Sequence, residues 1–208
     1  MKTIYSLTAA IIIFLAGCTK EPLNHLTTEE SRIYTVSYDS SINFSTFKTY
    51  SIADSVAVIR DGSYTKQLND VDQAYIDAVK KYMAQRGYSL VSKDQTPHIG
   101  ININRIYHTA TGVIDYTGYY GGYGGYWDPY YWGYSGYGYY VPYVYGVYQV
   151  SEGLISIDML DLKDAATKGK IGLMWNGLVR GTGIFDASNA DAAVQNLFNQ
   201  SAFLQTAQ

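Results

Sequence analysis

The fold of this chain is decided by two neighbouring stretches, VDQAYIDAVKKYMAQRGY at residues 71–88 and HIGININ at residues 98–104. In the first stretch apolar residues recur with the 3.6-residue period of one helix face, at Val71, Ala74, Tyr75, Ala78, Val79, Tyr82 and Met83. Asn69 or Asp70 can cap the start of this helix, and Gly87 stands where a glycine commonly ends one. In the second stretch isoleucine alternates with glycine or asparagine, which predicts a strand on which the helix packs.

Upstream of the helix, extended structure is expected to begin near Arg32, because Tyr34, Val36 and Tyr38 would share one face of a strand. The segment from Phe44 to Ile52 is rich in Phe, Thr and Tyr and predicts a second strand or an extended arm.

Downstream, residues 153–162 and 170–181 read as two strands joined by the short polar connection 163–169, which favours an antiparallel hairpin. A last helix is predicted from Ser188, with Asp191 in capping-box position and an apolar face of Val194, Leu197, Phe198 and Ala202. The order of elements predicts an α+β domain. Its largely antiparallel sheet would carry two helices on one face and a long Gly/Tyr-rich loop.

The amino terminus has the arrangement of a bacterial lipoprotein signal. Lys2 is followed by an apolar run from Ile4 to Ala16, whose length of about 20 Å as a helix is short of the roughly 30 Å membrane core. Leu15-Ala16-Gly17-Cys18 resembles the lipobox, in which the cysteine is acylated. We therefore predict a signal peptide over residues 1–17, a lipidated tether over 18–30, and a single domain over 31–205 with an insertion at 116–148.

Composition limits the classes of partner. Cys18 is the only cysteine in the sequence, so no intramolecular disulfide can form. Without Lys2, the 15 basic residues become 14 against 18 acidic ones, a formal charge of −4 with no basic cluster that would suit nucleic acid. Thr19 rather than aspartate follows Cys18, which favours the outer membrane, with the periplasmic or surface face left open.

The sequence predicts no active site, cofactor or metal. His98 and His108 would lie about 33 Å apart on a continuous strand, too far for shared coordination. Asp158 and Asp161 would point to opposite faces of a strand. Asp161 and Asp164 are expected to flank the hairpin connection, in turn or edge roles. Gly133-Tyr134-Ser135-Gly136 falls one residue short of a nucleophile elbow. The prediction is a protein that is not an enzyme, with an envelope hydrolase as the opposing hypothesis.

The most unusual segment is residues 116–148, which hold 14 Tyr, 9 Gly and 2 Trp with Asp128 as the only charge. Tyrosine offers a rigid apolar face with a polar tip, which is why binding surfaces favour it. The candidate interaction surface comprises Tyr119, Tyr120, Tyr123, Tyr126, Trp127, Tyr130, Tyr131 and Trp132.

Several roles remain open for this segment. It could be a plain insertion whose Tyr143-Val144-Tyr145 end joins the sheet, or an interface for an envelope protein or for its own copies. It could also contact glycans through Trp127, Trp132 and the neighbouring tyrosines, or lie at a membrane interface.

Several motifs together resemble one family. They are the arm at residues 43–51 (NFSTFKTYS), the helix end Gly87-Tyr88, the strand at residues 153–161 (GLISIDMLD) and Trp175-Asn176-Gly177. The family is the bacterial lipoprotein group catalogued as domain of unknown function 4136, and the resemblance covers most of residues 32–204. Two positions depart from its pattern. Pro97-His98 stands where alanine–aspartate is usual, and Trp-Asn-Gly stands where a basic residue often precedes the glycine.

The resemblance implies an envelope lipoprotein fold and carries over no catalytic residue. The predicted function is a non-catalytic, membrane-tethered interaction or structural module. An accessory subunit of an envelope transport system and a carbohydrate-binding surface module are the alternatives.

Overall fold

A computed structural model describes residues 27, 29–60, 63–107, 129–142 and 153–207, and within them the predicted helix runs from Asp70 to Gln85 (α1). Its start is a capping box, in which Asn69 Oδ1 accepts from the backbone N–H of Asp72 while the Asp72 carboxylate accepts from that of Asn69, both at 3.0 Å. At its end Gly87 adopts a φ of +86°, which favours glycine. The predicted limits of this helix are confirmed.

The other elements belong with α1 to the unit that begins at Arg32. The strands are β1 (Ile33–Tyr38), β2 (Thr49–Ile52), β3 (Val56–Arg60), β4 (Ser63–Gln67), β5 (Ser89–Leu90), β6 (Ile99–Tyr107), β7 (Gly138–Tyr140), β8 (Leu154–Asp161) and β9 (Lys170–Arg180). The remaining α-helices of the described residues are α2 (Ala165–Lys168) and α3 (Ala190–Asn199).

The strands of the described residues form one mixed sheet in the order β1-β9-β8-β6-β2-β5. The long pairings β1–β9, β8–β9 and β6–β8 are antiparallel, and β8–β9 is the predicted hairpin. The shorter pairings of β6 with β2 and β3 are parallel. The sheet is therefore largely antiparallel along its long strands, as the sequence predicts.

Helices α1 and α3 lie on one face of this sheet, in agreement with the prediction. Tyr75, Val79 and Met83 of α1 form one apolar core with Ile99, Ile101 and Ile103 of β6 and with Val194, Leu197 and Phe198 of α3. Burying apolar side chains on this scale supplies the main driving force for folding. The opposite face carries a second apolar cluster that includes Leu154, Leu160, Leu173 and Trp132.

Two predicted features near the amino end of the domain differ in the structure. The arm from Phe44 to Ile52 opens with a single turn of 3₁₀-helix, because Asn43 Oδ1 accepts from the backbone N–H of Ser45 at 3.2 Å and closes a turn. Only its last four residues form the strand β2. The hairpin β3–β4 is not predicted by alternation, because β3 is buried on both faces and β4 is exposed along its whole length.

The α-helical part of the last helix begins later than predicted, at Ala190, after a turn of 3₁₀-helix over Ala187–Asn189. Asp186 rather than Ser188 closes the first turn, by accepting from the backbone N–H of Ser188 at 2.9 Å, and α3 follows from Ala190. The predicted capping role of Asp191 is wrong, since its carboxylate binds Lys81 Nζ at 2.7 Å and ties α3 to α1. Ala202, which the sequence predicts to be part of the apolar face, is exposed. Leu204 is buried in the core instead.

Several predictions fall on residues outside the described ranges. These are the signal peptide, Cys18, most of the tether, His108, the proposed strand at residues 143–145, and Tyr119, Tyr120, Tyr123, Tyr126 and Trp127. Within the described ranges no helix is long and apolar enough to span a membrane.

Candidate interaction surface

Three of the predicted contact residues lie on one short 3₁₀-helix, Pro129–Trp132. Gly133 ends this turn with a φ of +85°, and the backbone N–H of Gly133 donates to the Tyr130 carbonyl at 3.0 Å. The turn presents its three aromatic rings to different environments. Tyr130 is 73% exposed, Tyr131 is partly buried, and Trp132 is only 6% exposed.

Trp132 is a core residue rather than a surface contact. Its ring covers Gly100 of β6 so closely that a Cβ there would lie 3.1 Å from Trp132 Cε2 and 3.0 Å from Leu162 Cδ1. The glycine thus makes room for the indole on the second face of the sheet. Of the predicted contact residues that the structure describes, only Tyr130 and Tyr131 reach the surface.

Tyr131 is held in place at the edge of an open groove. Its hydroxyl oxygen accepts from the backbone N–H of Asp54 at 3.1 Å. Two ammonium groups face its ring, with Lys93 Nζ 4.4 Å and Lys66 Nζ 5.4 Å from the centroid. Burial raises the pKa of the Tyr131 hydroxyl, so it stays protonated at neutral pH.

The groove beside Tyr131 has a volume of about 550 Å³. Its walls combine Lys80, Lys93 and Asp54 with the apolar side chains of Leu90 and Ile52. Leu90 is 51% exposed, which is high for a leucine next to an aromatic ring. An apolar strip with flanking charges suits non-covalent binding, and we call this feature the Tyr131 groove.

A second polar feature, buried rather than open, crosses the middle of the sheet. The register places Asn102 of β6, Asp158 of β8 and Asn176 of β9 side by side on the face opposite α1. The Asp158 carboxylate accepts from Asn104 Nδ2 at 2.7 Å, from Ser156 Oγ at 2.8 Å, and from Asn176 Nδ2. Asp158 has no turn or edge role, because it lies on a central strand and is 1% exposed.

This buried polar row is held together by side-chain hydrogen bonds. The three hydrogen bonds fix the position of the Asp158 carboxylate between β6 and β9. Among the described residues, the buried side-chain oxygens of Asn102 and Asn176 have no hydrogen-bond partner. In the sequence, the alternation of Gly100, Asn102 and Asn104 with isoleucine shows that these residues share one face of a strand, but not that the face is buried.

His98 does not join Asp158 in a common site. It precedes β6, whereas Asp158 pairs with Asn102, about 13 Å further along the strand. Nδ1 of His98 accepts from the backbone N–H of Lys48 at 3.2 Å, and burial together with Lys163 and Lys48 lowers the pKa of the imidazole. His98 thus serves as a neutral hydrogen-bond acceptor that joins β2 to β6.

Asp161 has the turn role that the sequence predicts. It accepts from the backbone N–H of Asp164 at 3.0 Å and binds Lys168 Nζ at 2.8 Å, which closes the connection around α2. Among the described residues no three His, Cys, Asp or Glu side chains are grouped as a metal site would need.

The fold and its surfaces define the class of the protein. It is an α+β domain with a mixed sheet, two packed helices and an open groove at one sheet edge. Residues 34–201 match the family described as a domain of unknown function (DUF4136), and the chain belongs to that family, as its motifs indicate.

A solved relative supports the same assignment. The crystal structure of a DUF4136 family protein from Bacteroides thetaiotaomicron VPI-5482 is similar, with a TM-score of 0.69 and 27% sequence identity. The alignment covers 84% of this chain and 98% of that chain. No curated protein matches this chain.

Proposed function

We propose that this chain is a lipid-anchored, non-catalytic binding module of the bacterial cell envelope, attached to the outer membrane through Cys18. The single observation that carries the binding role is the Tyr131 groove, where an aromatic ring held by Asp54 lies beside exposed Leu90 and two lysines. The anchoring role is supported by the sequence alone. Leu15-Ala16-Gly17 precedes Cys18, and two or more acyl chains would anchor a protein stably.

The first experiment tests the anchor. When the full chain is expressed in a Gram-negative bacterium with radiolabelled palmitate, we expect label on the wild-type protein and none on Cys18→Ala. Because the chain has no other cysteine, the variant has no second thiol that could take the label. Release of Cys18→Ala into the soluble fraction would accompany the loss. Equal labelling of the two proteins, or no labelling of the wild type, would contradict the proposed anchor.

The second experiment tests the groove. Crosslinking in intact cells followed by mass spectrometry should recover at least about tenfold less partner with Tyr131→Ala than with the wild type, as expected when an aromatic anchor is removed from an interface. Chymotrypsin should be used, since no Lys or Arg lies between Arg105 and Lys163.

Tyr140→Ala is the matched control. Tyr140 is also an exposed aromatic residue beside a lysine, with Lys170 Nζ 3.5 Å from its ring, but it lies on β7, which pairs with β9 rather than with the strands of the groove. An equal loss in both variants would argue against the groove. Binding of purified envelope polysaccharide without a protein partner would identify the ligand as a glycan.

A further inference from the structure

One edge strand of the sheet lacks the features that usually prevent strands from pairing with other chains. Natural edges are kept short, charged or interrupted by glycine or proline. Here β4 carries Lys66, β5 has only two residues, and β7 has three residues beginning with Gly138. In contrast, β1 has six residues, IYTVSY, with no charge, glycine or proline.

The outward side of β1 pairs with no strand of the described part of the chain. The backbone N–H of Asp39 donates to the Met174 carbonyl at 3.0 Å, and the register pairs Ser37 with Asn176. Since hydrogen-bonded and non-bonded pairs alternate along an antiparallel ladder, Tyr34, Val36 and Tyr38 direct their N–H and C=O groups away from β9. Among the described strands only β9 pairs with β1, so none takes up this outer side.

The three residues whose backbone groups point outward, Tyr34, Val36 and Tyr38, form a Tyr-Val-Tyr pattern that is symmetric about Val36. If a second copy of β1 pairs antiparallel with Val36 on the two-fold axis, Val36 faces Val36 and Tyr34 faces Tyr38 of the other copy. Aromatic and β-branched residues are favourable cross-strand pairs. Tyr38 is 42% exposed and its ring lies 4.1 Å from Phe203, so its position is already fixed before any pairing.

We propose that β1 is a dimerisation edge, through which two copies of this chain join their sheets by antiparallel β1–β1 pairing about Val36. The interface is isologous, since the same strand serves on both sides and the contact closes after two copies. This inference is independent of the proposed function, because β1 and the β5 strand of the Tyr131 groove are the opposite ends of the main strand order.

The test measures the mass of the full chain, extracted in mild detergent, by sedimentation velocity. We expect a protein mass of two chains for the wild type and of one chain for Val36→Lys, which sets two like charges directly opposite each other. Tyr64→Lys is the matched control. It adds the same charge to an exposed aromatic residue on β4, another edge strand, and should remain dimeric.

Each outcome decides the proposal. A monomeric wild type, or a dimer that persists in folded Val36→Lys, would overturn it. If circular dichroism shows that Val36→Lys is unfolded, Val36→Cys replaces it. A short bis-maleimide should then link two chains of Val36→Cys in intact cells, and linkage no greater than for Tyr64→Cys or the wild type would overturn the proposal.

Discussion

Replacement of Asp72 by alanine is expected to lower the free energy of unfolding by about 3–5 kcal/mol, because it leaves the guanidinium of Arg105 buried without its carboxylate. Arg105 Nε lies 2.8 Å from Asp72 Oδ1, with the two side chains 7% and 0% exposed. Nη2 of Arg105 also donates to Gln67 Oε1 at 3.0 Å, which links β6 to the end of β4. Chemical denaturation of the two proteins measures the difference.

A further variant, Asp72→Asn, separates the ion pair from the helix cap. Asp72→Asn keeps an oxygen that can accept from the backbone N–H of Asn69, but it removes the charge. Its free energy of unfolding should therefore fall by most of the amount expected for Asp72→Ala. Burial raises the pKa of the Asp72 carboxyl, whereas the backbone N–H of Asn69 and the Arg105 guanidinium act in the opposite direction.

The matched control is Asp70→Ala, which removes an exposed acid from the first turn of the same helix. It should cost only about 0.3–1 kcal/mol through the helix dipole. Adding Arg105→Met to Asp72→Ala should recover part of the stability, because no unpaired charge then remains. An Asp72→Ala effect as small as that of Asp70→Ala would contradict the buried pair.

The elements that the sequence predicts well are those set by local chemistry. Helix α1 could be placed because its apolar spacing, the Asn69 cap and Gly87 all act within about one turn of their own positions. The β8–β9 hairpin could be placed because its two strands are neighbours in sequence. The start of α3 could not be placed in this way, because the local pattern does not show that Lys81 on α1 binds the Asp191 carboxylate.

The features of the candidate site that were missed depend on contacts between distant residues. Alternation on β6 tells which residues share a face, but it does not tell whether that face is covered, so the burial of Asn102 could not be read from it. Trp132 likewise resembles its exposed neighbours in sequence. Gly100, 32 residues earlier in the chain, makes the space that takes its ring into the core.

Replacement of Gly177 by alanine is expected to lower the free energy of unfolding by about 1–3 kcal/mol, through overpacking of the core under α3. A Cβ at Gly177 would lie 2.5 Å from Trp175 Cη2 and 2.8 Å from Leu197 Cδ1. Trp175 cannot easily move away, since it is fully buried and its indole N–H donates to Ser201 Oγ at 2.9 Å. The close contact gives a physical reason for glycine in the Trp175-Asn176-Gly177 motif.

Gly172→Ala is the matched control, because it makes the same change on the same strand. There the new Cβ would come no closer than 3.9 Å to Asp161 Cβ, so stability should change by less than about 0.5 kcal/mol. The Trp175→Phe exchange removes Cη2 and Cζ2, the ring atoms that the new methyl group would strike. When Trp175→Phe is already present, Gly177→Ala should therefore lower the free energy of unfolding by at least about 0.5 kcal/mol less than it does in the wild type. Strict additivity of the two substitutions would show that the indole is not what excludes a side chain at position 177.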